Sequence, residues 1–155
     1  MEYIIEEIPN CELKIVSNLT GIFKFMDLKN NLDLENKIKF IGYAPIPEIF
    51  FKNASLNFFP SISESFGLVL SETKMYGIPS ILLGLDYVSI SNGGTIIIYD
   101  DNPESLAKNS IKILNNQIYK LNLGKEARKS MKTFNTLYYD LNKKSKIMSI
   151  YNCNN

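Results

Sequence analysis

Short apolar runs alternate along this chain with stretches in which apolar residues recur every three or four positions. Leu13–Val16, Ile38–Ile41, Leu56–Phe59, Ser80–Leu83 and Thr95–Tyr99 are the runs, and each reads as a short buried strand. Ile46, Ile49, Phe50 and Asn53 keep helical spacing, with Pro47 suited to a first turn. Phe66, Val69, Thr73 and Tyr76 line one face of a helix expected to start between Ser63 and Gly67. Leu106, Ser110, Ile111 and Leu114 mark another, opened by Asn102-Pro103-Glu104. Leu123, Ala127, Met131 and Phe134 mark a further helix after a turn near Asn122, and Tyr138 to Tyr151 forms the last. Strands alternating with helices predict a parallel sheet, right-handed crossovers and helices on both faces. No linker and no internal repeat divides the chain.

The most informative stretch is residues 60–79, where strand, loop, helix, loop and strand follow in order. Glu64 and Glu72 stand eight residues apart, with Phe66 and Gly67 between them and Gly77-Ile78-Pro79 at the exit. In open α/β sheets ligands bind at the carboxyl ends of the strands, where this loop lies. A helix amino-terminus offers unpaired N–H groups and partial positive charge, which suit a phosphate or diphosphate. Gly67 lets a ligand approach the backbone closely, and carboxylates on either side can accept hydrogen bonds from sugar and ribose hydroxyls. The same residues also have a plain structural reading. Acidic side chains are favoured near helix starts by the dipole, Ser63 or Ser65 suits an N-cap, and Glu72 suits an exposed helical position.

A chain of 155 residues fits one domain with a core of ordinary size. Hydrophobic content of 45% with 21% charged residues excludes a disordered chain. A net charge of +1 gives no bulk attraction to nucleic acid. The absence of histidine removes imidazole acid/base chemistry and imidazole metal ligands. Cys11 and Cys153 lie far apart with no paired spacing, so neither a zinc site nor a disulfide framework is indicated. No apolar run approaches the roughly 20 residues of a spanning helix, and Met1-Glu2 opens no signal peptide. The expected compartment is the cytoplasm.

Pro60, Ser61, Glu64, Phe66, Gly67, Glu72, Gly77 and Pro79 together resemble the signature of the group 1, or family 4, retaining glycosyltransferases. The flanks resemble that family too: Ile38-Lys-Phe-Ile-Gly42-Tyr43, the short helix from Pro47 to Ala54, and Asn92-Gly93-Gly94 leading through Ile96–Tyr99 to Asp101-Asn-Pro-Glu104. The resemblance implies a Rossmann-like α/β parallel sheet, one half of a two-domain glycosyltransferase, binding a nucleoside-diphosphate sugar as donor. It covers residues 1–135 as a partial donor-binding domain, with 136–155 as a carboxyl-terminal helix and tail. By the same resemblance, Glu64 binds hydroxyls of the transferred sugar and is the catalytic candidate. The backbone N–H groups of Phe66, Gly67 and Leu68 take the sugar or phosphates, Glu72 takes the ribose, and Gly42 and Tyr43 line the base pocket. Relatives usually need no metal, so no cofactor is expected beyond the donor itself.

The resemblance starts inside the donor domain. The acceptor domain is unmatched, and so are the donor domain's first strand and the following loop, where relatives carry an Arg and a Lys on the diphosphate. Ser17-Asn-Leu-Thr-Gly21 departs from the family's Gly-rich turn. A chain holding half of a cleft is expected to be inactive alone. The alternative is therefore a non-catalytic truncated fragment, or a donor-binding subunit that needs a separate acceptor-domain chain or self-associates. Finally, residues 120–146 hold Lys120, Lys125, Arg128, Lys129, Lys132, Lys143, Lys144 and Lys146 against Glu126 and Asp140. Such a basic helical tail is either a solvated face or a contact for anionic lipid at a membrane surface.

Overall fold

The computed structural model describes residues 1–16, 26–27, 29–30, 32–46, 48–60, 67–84, 92–100 and 102–145. Helix α1 (Glu2–Glu7) leads into β1 (Leu13–Ile15); β2 (Ile38–Phe40), α2 (Glu48–Phe51) and β3 (Asn57–Phe59) follow. Helix α3 (Leu68–Met75) then precedes β4 (Ser80–Leu83), β5 (Thr95–Ile98), α4 (Pro103–Asn115) and α5 (Gln117–Ser145). All five expected strands form, each within a residue or so of its predicted bounds. Strand β4 is buried as a continuous apolar run should be, whereas β1 and β2, expected to be buried, are only half-buried and carry exposed Lys14 and Lys39 at their centres.

Every pairing is parallel: β1 with β2, β3 with β4, and β4 with β5. The parallel arrangement is the one expected. Among the described residues the strands form a two-stranded sheet, β1-β2, and a three-stranded sheet, β3-β4-β5, with no described strand joining them. The hydrogen-bonding ladder is a matter of which edges meet, and strand count alone does not decide it. The two parts are tied through helices instead, for α1 packs on α4 and the Tyr3 hydroxyl donates to Glu104 at 3.5 Å.

The period-two alternation of the strands separates the two faces of the larger sheet. On one face Ile81 and Ile98 form a buried cluster with Ile113 of α4 and Leu123 of α5, and Phe58, Ile96, Leu106 and Tyr119 close around it. On the other, the Asn57 amide donates to Thr73 Oγ1 of α3 at 3.4 Å and to Ser80 Oγ at 3.2 Å. Helices thus cover both faces, as the alternation predicts.

Helix α4 opens as its sequence implies: Asn102 caps it, accepting from the Glu104 N–H at 2.9 Å, with proline in the first turn. Helix α5 departs from expectation. The turn near Asn122 and the break before Tyr138 do not form, and one helix runs from Gln117 to Ser145; the expected last helix beyond Ser145 lies outside the described residues. The reason is tertiary. Gly124 brings α5 against the backbone of Gly77, Arg128 donates through Nη2 to the Tyr76 carbonyl at 2.7 Å, and Leu123, Ala127 and Met131 are buried. Because Gly77 lies three residues before β4 and Gly94 one residue before β5, α5 closes over the amino ends of these strands.

Candidate donor site at the carboxyl edge

The site elements lie at the opposite edge from α5. Strand β3 ends at Phe59, and α3 begins at Leu68. A helix in a β–α–β crossover returns antiparallel to its strands, so the amino-terminus of α3 stands at their carboxyl edge. Gly67 is its N-cap residue, buried and left-handed at φ 76° and ψ 49°. That conformation is open to glycine and strained for almost any other residue. The helix starts one residue beyond the expected window, with no side-chain cap hydrogen bond among the described residues. Its first-turn N–H groups have no partner within the helix, and the side chains there face outward: Leu68 is 62% and Val69 50% exposed.

The expectation that Val69 belongs to the core face is therefore corrected. The buried residues of α3 are Leu70, Ser71, Thr73 and Lys74, a face rotated by about one position from the one read in the sequence. Polar side chains are accommodated on it by local bonds. Ser71 Oγ donates to the Leu68 carbonyl at 2.7 Å, and Thr73 Oγ1 to that of Leu70 at 2.9 Å. Lys74 is 0% exposed, its ammonium donates to the Asn92 carbonyl at 2.7 Å, and burial pushes its pKa down to about 8. Sequence reasoning passed over this lysine. The available signal was the i, i+3, i+4, i+7 set Leu70, Thr73, Lys74 and Gly77, which places a cation on the apolar side.

Of the other candidates, Glu72 is exposed on α3. Gly42 lies two residues beyond β2, buried with φ 81°, and Tyr43 follows at 82% exposure. Gly42 and Tyr43 follow the carboxyl end of β2, in keeping with a ligand edge. Glu64 and Phe66 lie outside the described residues. An open cavity of about 410 Å³ lies beside the end of β5 and is lined by Ile96–Asp100, Ser105 and Asn109, with Ser105 Oγ donating to Asp100 at 2.9 Å. None of the sequence-predicted site residues lines it.

A parallel α/β unit, with a left-handed glycine opening a helix at the carboxyl edge, belongs to the class of Rossmann-like domains. Within that class the family is shown by the sequence as a whole. A family model of the glycosyl transferases group 1 matches residues 2–130, and the chain belongs to that family. No curated protein matches the chain. Among solved structures, TarM of S. aureus superposes with a TM-score of 0.79 at 19% identity, over 91% of this chain and 30% of its own. HepE of Anabaena, solved in complex with UDP and glucose, gives 0.71 at 16% identity, over 93% and 44%. Sucrose-phosphate synthase of Thermosynechococcus elongatus gives 0.67 at 20%, over 90% and 41%. At these identities the likeness is one of fold, and the chain spans less than half the length of each of these structures.

Proposed function

We propose that the chain binds a nucleoside-diphosphate sugar at its carboxyl edge, as the donor side of a retaining glycosyltransferase. The observation that carries this reading is Gly67, a buried left-handed glycine presenting the start of α3 at the end of a parallel strand. An anion bound there meets backbone N–H groups and the positive end of the helix dipole. On this reading the N–H groups of Phe66, Gly67 and Leu68 hold the sugar or its phosphates, and the departing diphosphate is stabilised by the same groups. Glu64 accepts from hydroxyls of the transferred sugar. Glu72, about 7.5 Å along the helix from Gly67, accepts from the ribose, and Gly42 and Tyr43 border the base. HepE was solved with UDP and glucose, which supports a donor of this class. The proposal invokes no metal.

A second proposal concerns what the chain needs in order to turn over. The chain spans less than half the length of the solved structures it resembles, and the alternative to a self-sufficient enzyme is a non-catalytic fragment or a donor-binding unit that works with an acceptor-side polypeptide. Half of a cleft neither excludes water nor completes the clamp on the leaving group. Calorimetric titration with UDP-, GDP- and ADP-sugars tests the first proposal. One donor should bind, and Glu72→Ala should weaken it at least tenfold, since a charge-assisted hydrogen bond contributes about 1.5–3 kcal/mol. Absence of binding by the whole panel refutes the donor reading. Transfer to a mixed acceptor panel, with mass followed by light scattering, tests the second. Robust turnover by the monomer refutes it.

A further inference from the structure

Ile118, Leu121, Lys125, Lys129 and Lys132 follow one another on α5 at steps of three and four residues, the spacing that aligns side chains along one side of a helix. Leu123, Gly124, Ala127 and Met131 are buried and define the opposite side. The stripe is about 21 Å long at 1.5 Å per residue. Its lysines are exposed, and at its amino end Ile118 is 74% and Leu121 52% exposed. The charge of the chain is divided unevenly around it. Residues 120–146 hold eight basic and two acidic residues, an excess of six in a chain whose total is +1, so the rest carries a net −5. Exposed Glu2, Glu6 and Glu7 of α1 belong to that acidic remainder.

We infer that this stripe docks the chain on an anionic lipid surface, with α5 lying in the plane of the interface. Lysines within a Debye length of anionic headgroups are drawn to them. Ile118 and Leu121 gain by entering the boundary with the acyl chains. A nucleic acid meets the lysines equally well but offers no hydrocarbon to those two side chains. The helix lies on the membrane and does not cross it: among the described residues no helix is long and apolar enough to span. Since α5 closes over the amino ends of β4 and β5, docking through its outer side leaves the carboxyl edge uncovered. The inference is independent of the donor reading.

The test is co-sedimentation of the full chain with vesicles of phosphatidylglycerol and phosphatidylcholine, or of phosphatidylcholine alone. Binding is expected on the anionic vesicles, at least tenfold weaker on the neutral ones, and weaker at high salt. Each basic residue near such a surface contributes roughly fivefold, so Lys125→Glu with Lys129→Glu should lower the affinity more than tenfold. Ile118→Ser with Leu121→Ser should lower it several-fold. Circular dichroism checks that each variant is folded; if a double variant is not, the single variants Lys125→Gln and Ile118→Ser replace it. Equal partition onto neutral and anionic vesicles overturns the inference, as does full retention of binding by the folded variants. It is also overturned if duplex DNA binds as tightly as the vesicles, indifferent to Ile118→Ser. A dimer that Ile118→Ser dissociates, and that anionic vesicles do not displace, overturns it as well.

Discussion

Replacing Gly124 by alanine sets two effects of opposite sign against each other. In an ordinary helix interior the change stabilises by about 1 kcal/mol, because glycine is the freer residue in the unfolded chain. Here a Cβ on residue 124 would stand 2.4 Å from the Gly77 carbonyl oxygen, where ordinary contact begins near 3.4 Å. Both groups belong to backbone, so no flexible side-chain end can move aside, and the two segments must separate by about 1 Å to restore normal contact distances. Overpacking of this kind costs about 1–3 kcal/mol. The separation also strains the neighbouring hydrogen bond from Arg128 to the Tyr76 carbonyl, of a charged class that contributes about 1.5–3 kcal/mol. The exposure of Arg128 puts it at the low end. The expected net loss is about 2 kcal/mol, or roughly 4–8 °C in Tm for a chain of this size. Urea denaturation followed by circular dichroism measures it, with the exposed neighbour Lys125→Ala as a control that should shift by less than about 0.5 kcal/mol. A Gly124→Ala chain as stable as the parent, or more stable, would refute the reasoning.

Gly67→Ala should destabilise by about 1–2 kcal/mol through left-handed strain. It should also weaken donor binding, measured by calorimetry well below the variant's melting temperature; unchanged affinity would separate the glycine from the site. Lys74 should make stability rise with pH. Its folded pKa of about 8 lies below its ordinary 10.5, so between those values the unfolded chain holds the proton that the folded chain has released, and raising the pH favours folding. Parallel denaturation of the parent and Lys74→Met across that window should show the rise in the parent and its loss in the variant. Asn102→Ala should cost about 1 kcal/mol by removing the cap of α4, read from the same denaturation curves.

The strands and the cap of α4 were legible in the sequence because their causes are local, whereas α3 is capped by Gly67 and not by the serines that suit an N-cap. Ser80–Leu83 is a strand with the bounds its apolar run implies, and the Asn102 cap is a bond to a residue two positions away. The orientation of α3 was not legible. Val69 reads as core and is half exposed, while Lys74, which the sequence reading passed over, is buried, where a carbonyl brought in from residue 92 receives its ammonium. The stretch near Asn122 reads as a turn, yet the helix continues through it, held where Gly77 meets the backbone at Gly124.

By itself the sequence determined the family and the parallel α/β architecture, since each rests on residue types at fixed short spacings. The tertiary structure decided which strands share a ladder, which side of α3 is buried, and that α5 is one helix with a basic outer stripe. Each of these depends on contacts between residues far apart in the chain, whose energies no local pattern records.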